Sequence, residues 1–419
     1  MSWFGRKQRL SWGRVEGAAS GASIGPTAGG RGLGGWIFAL PLYKLRQYVT
    51  GHWKLDTGNC LFLLFLAILL FITPATWGGI LVPDDPFFNY DPPKTVSDGY
   101  FFEGQWHLKT MNAPVAWGIS TGSAAVIIAI LDTAVRSEAV DLAGRVLPAQ
   151  SVSGRILSPT DSRFEHGTWV ASAAAMGVNN GVGGAGVGNF TILPITICDA
   201  NTFTTAAWLA AGIRLAASSG ARVINISYSS SSYGELQVAA AEARALGALT
   251  FIAAGNSGTR NTGIADYPDL IFVAGTDQDA AGNEMAWAGS SYGAYVDIAA
   301  PANHIVAERN LTPDAYALVS GTSLATPLVS GAAALAWSIN PDLTPEQVRE
   351  IIYSTATDLG APGWDEHFGW GRLDLGGVAM AALLTTPEPG TLGLLVVGLG
   401  VIWRRRGKRR STDFTECTD

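Results

Sequence analysis

Apolar positions fall along this chain in two rhythms. Between Gly104 and Met380, short continuous apolar runs alternate with longer Ala-rich segments carrying scattered polar residues. The runs AAVIIAILD (124–132), FTILPITI (190–197), ARVINIS (221–227), ALTFIAAGN (248–256) and LIFVAGT (270–276) show little polar alternation. That pattern predicts strands buried on both faces, as in a parallel sheet covered by helices. TTAAWLAAGIRLAASSG (204–220), GELQVAAAEARALG (234–247) and TPEQVREIIYSTA (344–356) predict the helices. The last opens on a capping Thr344, with Pro345 at the first helical position and Gln347 at the third. Strand–helix alternation of this kind gives an α/β fold, a parallel sheet with helices on both faces.

The second rhythm is an unbroken apolar run near each end. CLFLLFLAILLFI spans residues 60–72, with Lys44, Arg46 and Lys54 before it and no charge from Thr57 to Pro83. Thirteen helical residues reach about 20 Å, which suits a signal-peptide core, and the longer uncharged stretch suits an uncleaved signal-anchor. TLGLLVVGLGVIW (391–403) follows Pro387-Glu388-Pro389 and precedes RRRGKRR. The chain therefore divides into a Gly/Trp-rich basic extension (1–56), a signal peptide or signal-anchor (57–82) and a linker or N-terminal arm (83–104). The main domain (105–380), a linker (381–390), a transmembrane segment (391–403) and a basic cytoplasmic tail (404–419) follow. The extension has no periodicity and reads either as disordered or as the product of a mis-set start codon.

Charge sharpens this division. Residues 1–60 hold eight Lys/Arg against two acids and residues 404–419 hold six against three, leaving 13 bases and 29 acids between. An acidic body with basic ends excludes nucleic acid as its main partner, and basic flanks beside apolar runs are a membrane signature. Three cysteines, Cys60, Cys198 and Cys417, form no disulfide framework, and Cys198 is expected unpaired.

In a doubly covered parallel sheet, functional groups collect beyond the carboxyl ends of the strands. Asp132 ends one predicted strand and Asn256 another; His166 opens HGTWVASAAAMG, and Ser323 opens the helix after YALVSG. Each has a plain alternative as a turn or cap residue. Together they supply a carboxylate, an imidazole, an amide and a hydroxyl to one edge.

Their flanks carry a family likeness. DTA (132–134), HGTWVAS (166–172), AAGNSG (253–258) and SGTSLATP (320–327) occur in the order Asp, His, Asn, Ser. The region from Gln105 to Met380 resembles the subtilisin family of serine peptidases, and the order is recognised from that family. The resemblance implies a subtilisin-like fold, a catalytic triad of Asp132, His166 and Ser323, and an oxyanion hole with Asn256. It also implies a substrate-binding edge of Ser227, Tyr228 and Ser229 facing Ala253, Ala254 and Gly255, which would take a peptide or protein substrate in extended form. No cofactor is required for the chemistry. Asp141, Asn179 and Asn180 match positions that bind structural Ca²⁺ in some relatives. The chain departs from the pattern at Ala134, Trp169, Ser172, Ser229 and Leu324, where glycine, histidine, glycine, glycine and methionine are usual. Between Ile72 and Gln105 there is no room for the folded pro-domain that many relatives carry.

Pro387-Glu388-Pro389, the short span and the arginine cluster resemble a PEP-CTERM sorting signal. That implies export, passage through the inner membrane, cutting by an exosortase-type enzyme and delivery to the cell surface. Two other functions remain open in the sequence. One is a non-catalytic surface or matrix protein on a peptidase fold; the other is a transpeptidase or cyclase using the same acyl-enzyme.

Overall fold

The computed structural model describes residues 79–89, 94–95, 101–102, 104–279, 281–309 and 315–385. The extension, most of the first apolar segment (57–78), the Pro-Glu-Pro motif, the second span and the basic tail lie outside these residues.

Among the described residues, the strands in chain order are β1 (Lys94–Thr95), β2 (Phe101–Phe102), β3 (Ile127–Asp132), β4 (Gln150–Ser151) and β5 (Thr191–Thr196). They continue as β6 (Val223–Ile226), β7 (Leu249–Ala253), β8 (Leu270–Gln278), β9 (Glu284–Ala286), β10 (Ile298–Pro301), β11 (Ile305–Glu308) and β12 (Tyr316–Val319). The helices are α1 (Trp106–Thr110), α2 (Ala113–Ile119), α3 (His166–Ala175) and α4 (Ala206–Ser218). After them come α5 (Tyr233–Ala245), α6 (Thr322–Ile339), α7 (Pro345–Thr355) and α8 (Leu375–Leu384).

The predicted apolar runs form the centre of one sheet, in the order β10-β8-β7-β6-β3-β5-β4, with β9 added antiparallel on β8. The seven strands of that path are parallel. Alternate side chains feed opposite faces, as a pleat requires. Ile128 and Ile130 of β3 join the core around α6, while Ala129 and Leu131 join the core around α4 and α5. This is why the strands read as unbroken apolar sequence.

Helix α6 is the spine of the first core, buried from Thr322 to Trp337. Among the described residues it is the one helix long and apolar enough to cross a membrane, and here it is packed inside protein. Helix α7 begins as its sequence predicts, with Thr344 and Gln347 forming a reciprocal capping box. Two boundaries differ from expectation. Helix α8 runs past Met380 to Leu384, because Leu375, Val378, Ala379 and Ala382 are buried. The arm before Gln105 is packed in part, with Phe88 2% exposed and edge-on to Trp117.

The strand order locates the site. From β3 the chain crosses to the sheet edge at β4, comes back to place β5 between β4 and β3, then lays β6 on the other side of β3. The path reverses at β3, so a crevice opens beyond its carboxyl end, where Asp132 is the last residue.

Candidate active site

Asp132 is 1% exposed, and both its carboxylate oxygens lie 2.9 Å from Nδ1 of His166. The same carboxylate accepts the N–H of Thr133 at 2.7 Å, so the plain turn-capping role and the contact with histidine coexist. The Thr133 hydroxyl donates to the Phe164 carbonyl at 2.8 Å and accepts the Gly167 N–H at 3.0 Å. One threonine thus fixes the backbone on both sides of His166. Gly167 is required there, since a Cβ would sit 2.5 Å from the Ala134 carbonyl oxygen. Burial pulls the His166 imidazolium down, but the charge and hydrogen bond of Asp132 outweigh it and hold the histidine above its ordinary value.

Ser323 lies in the first turn of α6 and is 7% exposed. Its hydroxyl donates to the Ser227 carbonyl at 3.3 Å, not to the imidazole. Its N–H belongs to the first turn, where a helix offers no internal acceptor. The helix has no side-chain cap of its own at Gly321. Asn256 does that work from a distance: its Oδ1 accepts the N–H of Thr322 at 2.9 Å and the Thr322 hydroxyl at 2.8 Å. Two donors on Oδ1 fix the amide, which leaves its NH₂ directed away from Thr322. Thr322 opens the helix and Gly321 is its N-cap residue, so Ser323 stands one position inside the expected start.

Pro327 sits well inside α6 rather than near its start. Lacking an N–H, it cannot bond the carbonyl four residues back, which is that of Ser323. Ser227 fills the gap, its hydroxyl donating to the Ser323 carbonyl at 2.8 Å. Ser227 Oγ accepts from Asn225 Nδ2 at 3.1 Å, and Asn225 Oδ1 accepts from Ser330 at 2.9 Å. A buried polar chain thus ties both ends of the proline break to β6.

The expected substrate-binding segments follow β6 and β7, which are parallel neighbours. Ser227, Ala253 and Ala254 are buried, Tyr228 and Gly255 half-buried, and Ser229 exposed. Gly255 adopts φ +106°, a conformation that favours glycine. Cys198 is free and buried; burial, then the Asp132 charge, push its thiol up to about 12, so it is chemically quiet.

The expected metal residues lie together elsewhere. Asp141 accepts Asn180 Nδ2 at 3.0 Å, the Gly184 N–H at 3.1 Å and the Tyr316 hydroxyl at 2.8 Å. Asp85, which no motif singled out, accepts the N–H groups of Asn179 at 2.8 Å and Asn180 at 3.0 Å. Burial raises both carboxyls, and the charge of Asp85 raises Asp141 further. Among the described residues no three His, Cys, Asp or Glu side chains converge on one metal position.

A buried carboxylate holding an imidazole, a serine at a helix N-terminus and an oriented amide are the parts of a serine hydrolase. Comparison with known proteins agrees. Residues 123–371 match the Subtilase family, and residues 385–406 match the PEP-CTERM protein-sorting motif. Thermitase of Thermoactinomyces vulgaris is 36% identical over 272 residues, covering 64% of this chain and 94% of thermitase. Thermophilic serine proteinase of Bacillus sp. (strain AK1) is 33% identical over 293 residues, covering 69% and 70% of the two chains. The crystal structure of a lanthipeptide protease superposes with a TM-score of 0.55 at 22% identity, covering 66% of this chain and 93% of that one, a likeness of fold. The chain belongs to the subtilase family of serine peptidases and carries a PEP-CTERM motif, the mark of an exported protein.

Proposed function

We propose that this chain is an exported serine endopeptidase whose triad is Asp132, His166 and Ser323. Peptide bonds resist hydrolysis because water is a weak nucleophile and an amine a poor leaving group. His166 takes the proton of the Ser323 hydroxyl as that oxygen attacks the scissile carbonyl, then returns it to the departing amine. Asp132 keeps the Nδ1–H tautomer and stabilises the imidazolium. The oxyanion is held by the amide of Asn256 and the N–H of Ser323, at the positive end of α6. Water, activated by His166, then cleaves the acyl-enzyme. The substrate backbone lies extended between residues 227–229 and 253–255.

One observation carries this reading: Nδ1 of His166 is 2.9 Å from both oxygens of a nearly inaccessible carboxylate. Treatment of the purified chain with a fluorophosphonate, read by intact mass, tests it. Wild type should gain one adduct, Ser323→Ala none, and Asn256→Ala should lose about 10²–10³ in peptide turnover, a cost known from a member of the same family. Folded wild type that takes no adduct would instead favour a non-catalytic surface protein.

A structural Ca²⁺ near Asp85, Asp141 and Asn180 would relieve two carboxyls raised by burial, and it requires the Asn180 amide, whose nitrogen now faces Asp141, to turn its oxygen inward. It would tie the N-terminal arm to the 177–184 loop. At the other end, an exosortase-type enzyme cuts near Pro387-Glu388-Pro389 after transit through the inner membrane. Replacing that tripeptide in the native host should leave the C-terminal span attached, as read by mass. A span retained in the wild type as well overturns the sorting step.

A further inference from the structure

The imidazole of His166 is bordered by two aromatic rings as well as by Asp132. Trp169, one turn along α3, stands edge-on to it with centroids 6.1 Å apart and planes at 62°. Tyr228, just after β6, approaches with centroids 5.9 Å apart and planes at 87°. The indole N–H of Trp169 is buried and has no hydrogen-bond partner, so packing alone holds that ring. Tyr228 is half-buried and packs against the core that holds the fully buried Cys198. Other titratable groups near the imidazole are Asp132 at the end of β3 and Glu165, which is engaged by Arg309.

We propose that Trp169 and Tyr228 are positioning residues that bracket the His166 imidazole and keep its free nitrogen aimed for proton transfer with Ser323. This rests on the reading of His166 as the general base. The Asp132 contacts anchor Nδ1 but leave the ring free to swing about that anchor. In the structure the Ser323 hydroxyl is turned to the Ser227 carbonyl at 3.3 Å and must move to reach the imidazole. The dipeptide Ser227-Tyr228 therefore touches both reacting groups: its carbonyl holds the resting hydroxyl, and its ring borders the waiting base. Edge-to-face pairs favour one mutual orientation, and a misplaced base is costly to rate. The family usually has a second histidine at the Trp169 position, so this arrangement belongs to the present chain.

The test measures fluorophosphonate inactivation against pH for the full chain and for Trp169→Ala, Trp169→Phe, Tyr228→Ala and Tyr228→Phe. Thermal unfolding first establishes that each variant is folded. Each alanine variant should lower the limiting rate constant about threefold to tenfold, and Trp169→Ala, which lies outside the substrate-binding edge, should do so with little change in the half-saturating probe concentration. It should also shift the acid limb upward, because a more solvated imidazolium is less disfavoured. The phenylalanine variants restore a ring and should recover most of the rate. Alanine variants that keep both the wild-type rate and the wild-type limb overturn the proposal. If wild type itself does not react, the peptidase reading fails, and the bracket is judged separately by NMR of the His166 ring in a Ser323→Ala background. There, removal of either aromatic should broaden or shift the ring signals and move their titration midpoint; unchanged signals overturn it.

Discussion

The proline inside α6 makes a quantitative prediction. Ser227→Ala removes the donor that reaches the Ser323 carbonyl at 2.8 Å, and Pro327 offers no N–H in its place. A buried carbonyl left unpaired costs about 1–3 kcal/mol, and the Asn225 amide loses its acceptor at the same time. Taking about 2 kcal/mol, the melting temperature should fall by roughly 3–4 °C for a domain of this size. Pro327→Ala supplies a backbone N–H to that same carbonyl. Ser227→Ala should therefore cost much less in the Pro327→Ala background, with a coupling of about 1–2 kcal/mol. Urea unfolding of the four chains measures the cycle, with Ser323→Ala present throughout to prevent self-digestion. Equal costs in the two backgrounds would refute the compensation and with it the account of how α6 tolerates its proline.

Two further outcomes can be read in the same inactive background. His107 is 1% exposed with an unpartnered Nδ1, and burial pulls it down to about 3, so it is neutral when folded. A lowered histidine favours the native state above its unfolded value near 6.5, and that advantage is lost as pH falls from there toward 3. The full effect is on the order of 4–5 kcal/mol; His107→Leu should flatten melting temperature against pH across this window, and an unaltered slope would contradict it. Added Ca²⁺ should raise the melting temperature and EGTA lower it by several degrees, with the response abolished in Asp85→Ala and Asp141→Ala. Melting that is indifferent to both reagents would exclude the cation.

How much of this was legible in the sequence depends on how local the cause is. The central strands were readable because burial on both faces leaves a continuous apolar run, as in IIAILD and LTFIA. Asp132 and Asn256 could be proposed from the chain because parallel strands deliver their ends to one edge, and His166 because close backbone approach writes a fixed neighbour, Gly167, beside it. Asp85 was not readable, since its partners Asn179 and Asn180 lie 94 and 95 residues away. The role of Ser227 was hidden for a related reason. It exists only because β6 meets α6 in a register that sets one hydroxyl against the one carbonyl Pro327 abandons. Asn225 and Ser330 look like polar intrusions in apolar segments until that register joins them. The residues proposed to react carry their signature in their flanks, whereas the residues packed around them acquire meaning only from the packing of distant elements. The environment of the imidazole follows the same division: Asp132 could be named from the chain, while the two rings beside it emerge only when α3 and the end of β6 are brought together.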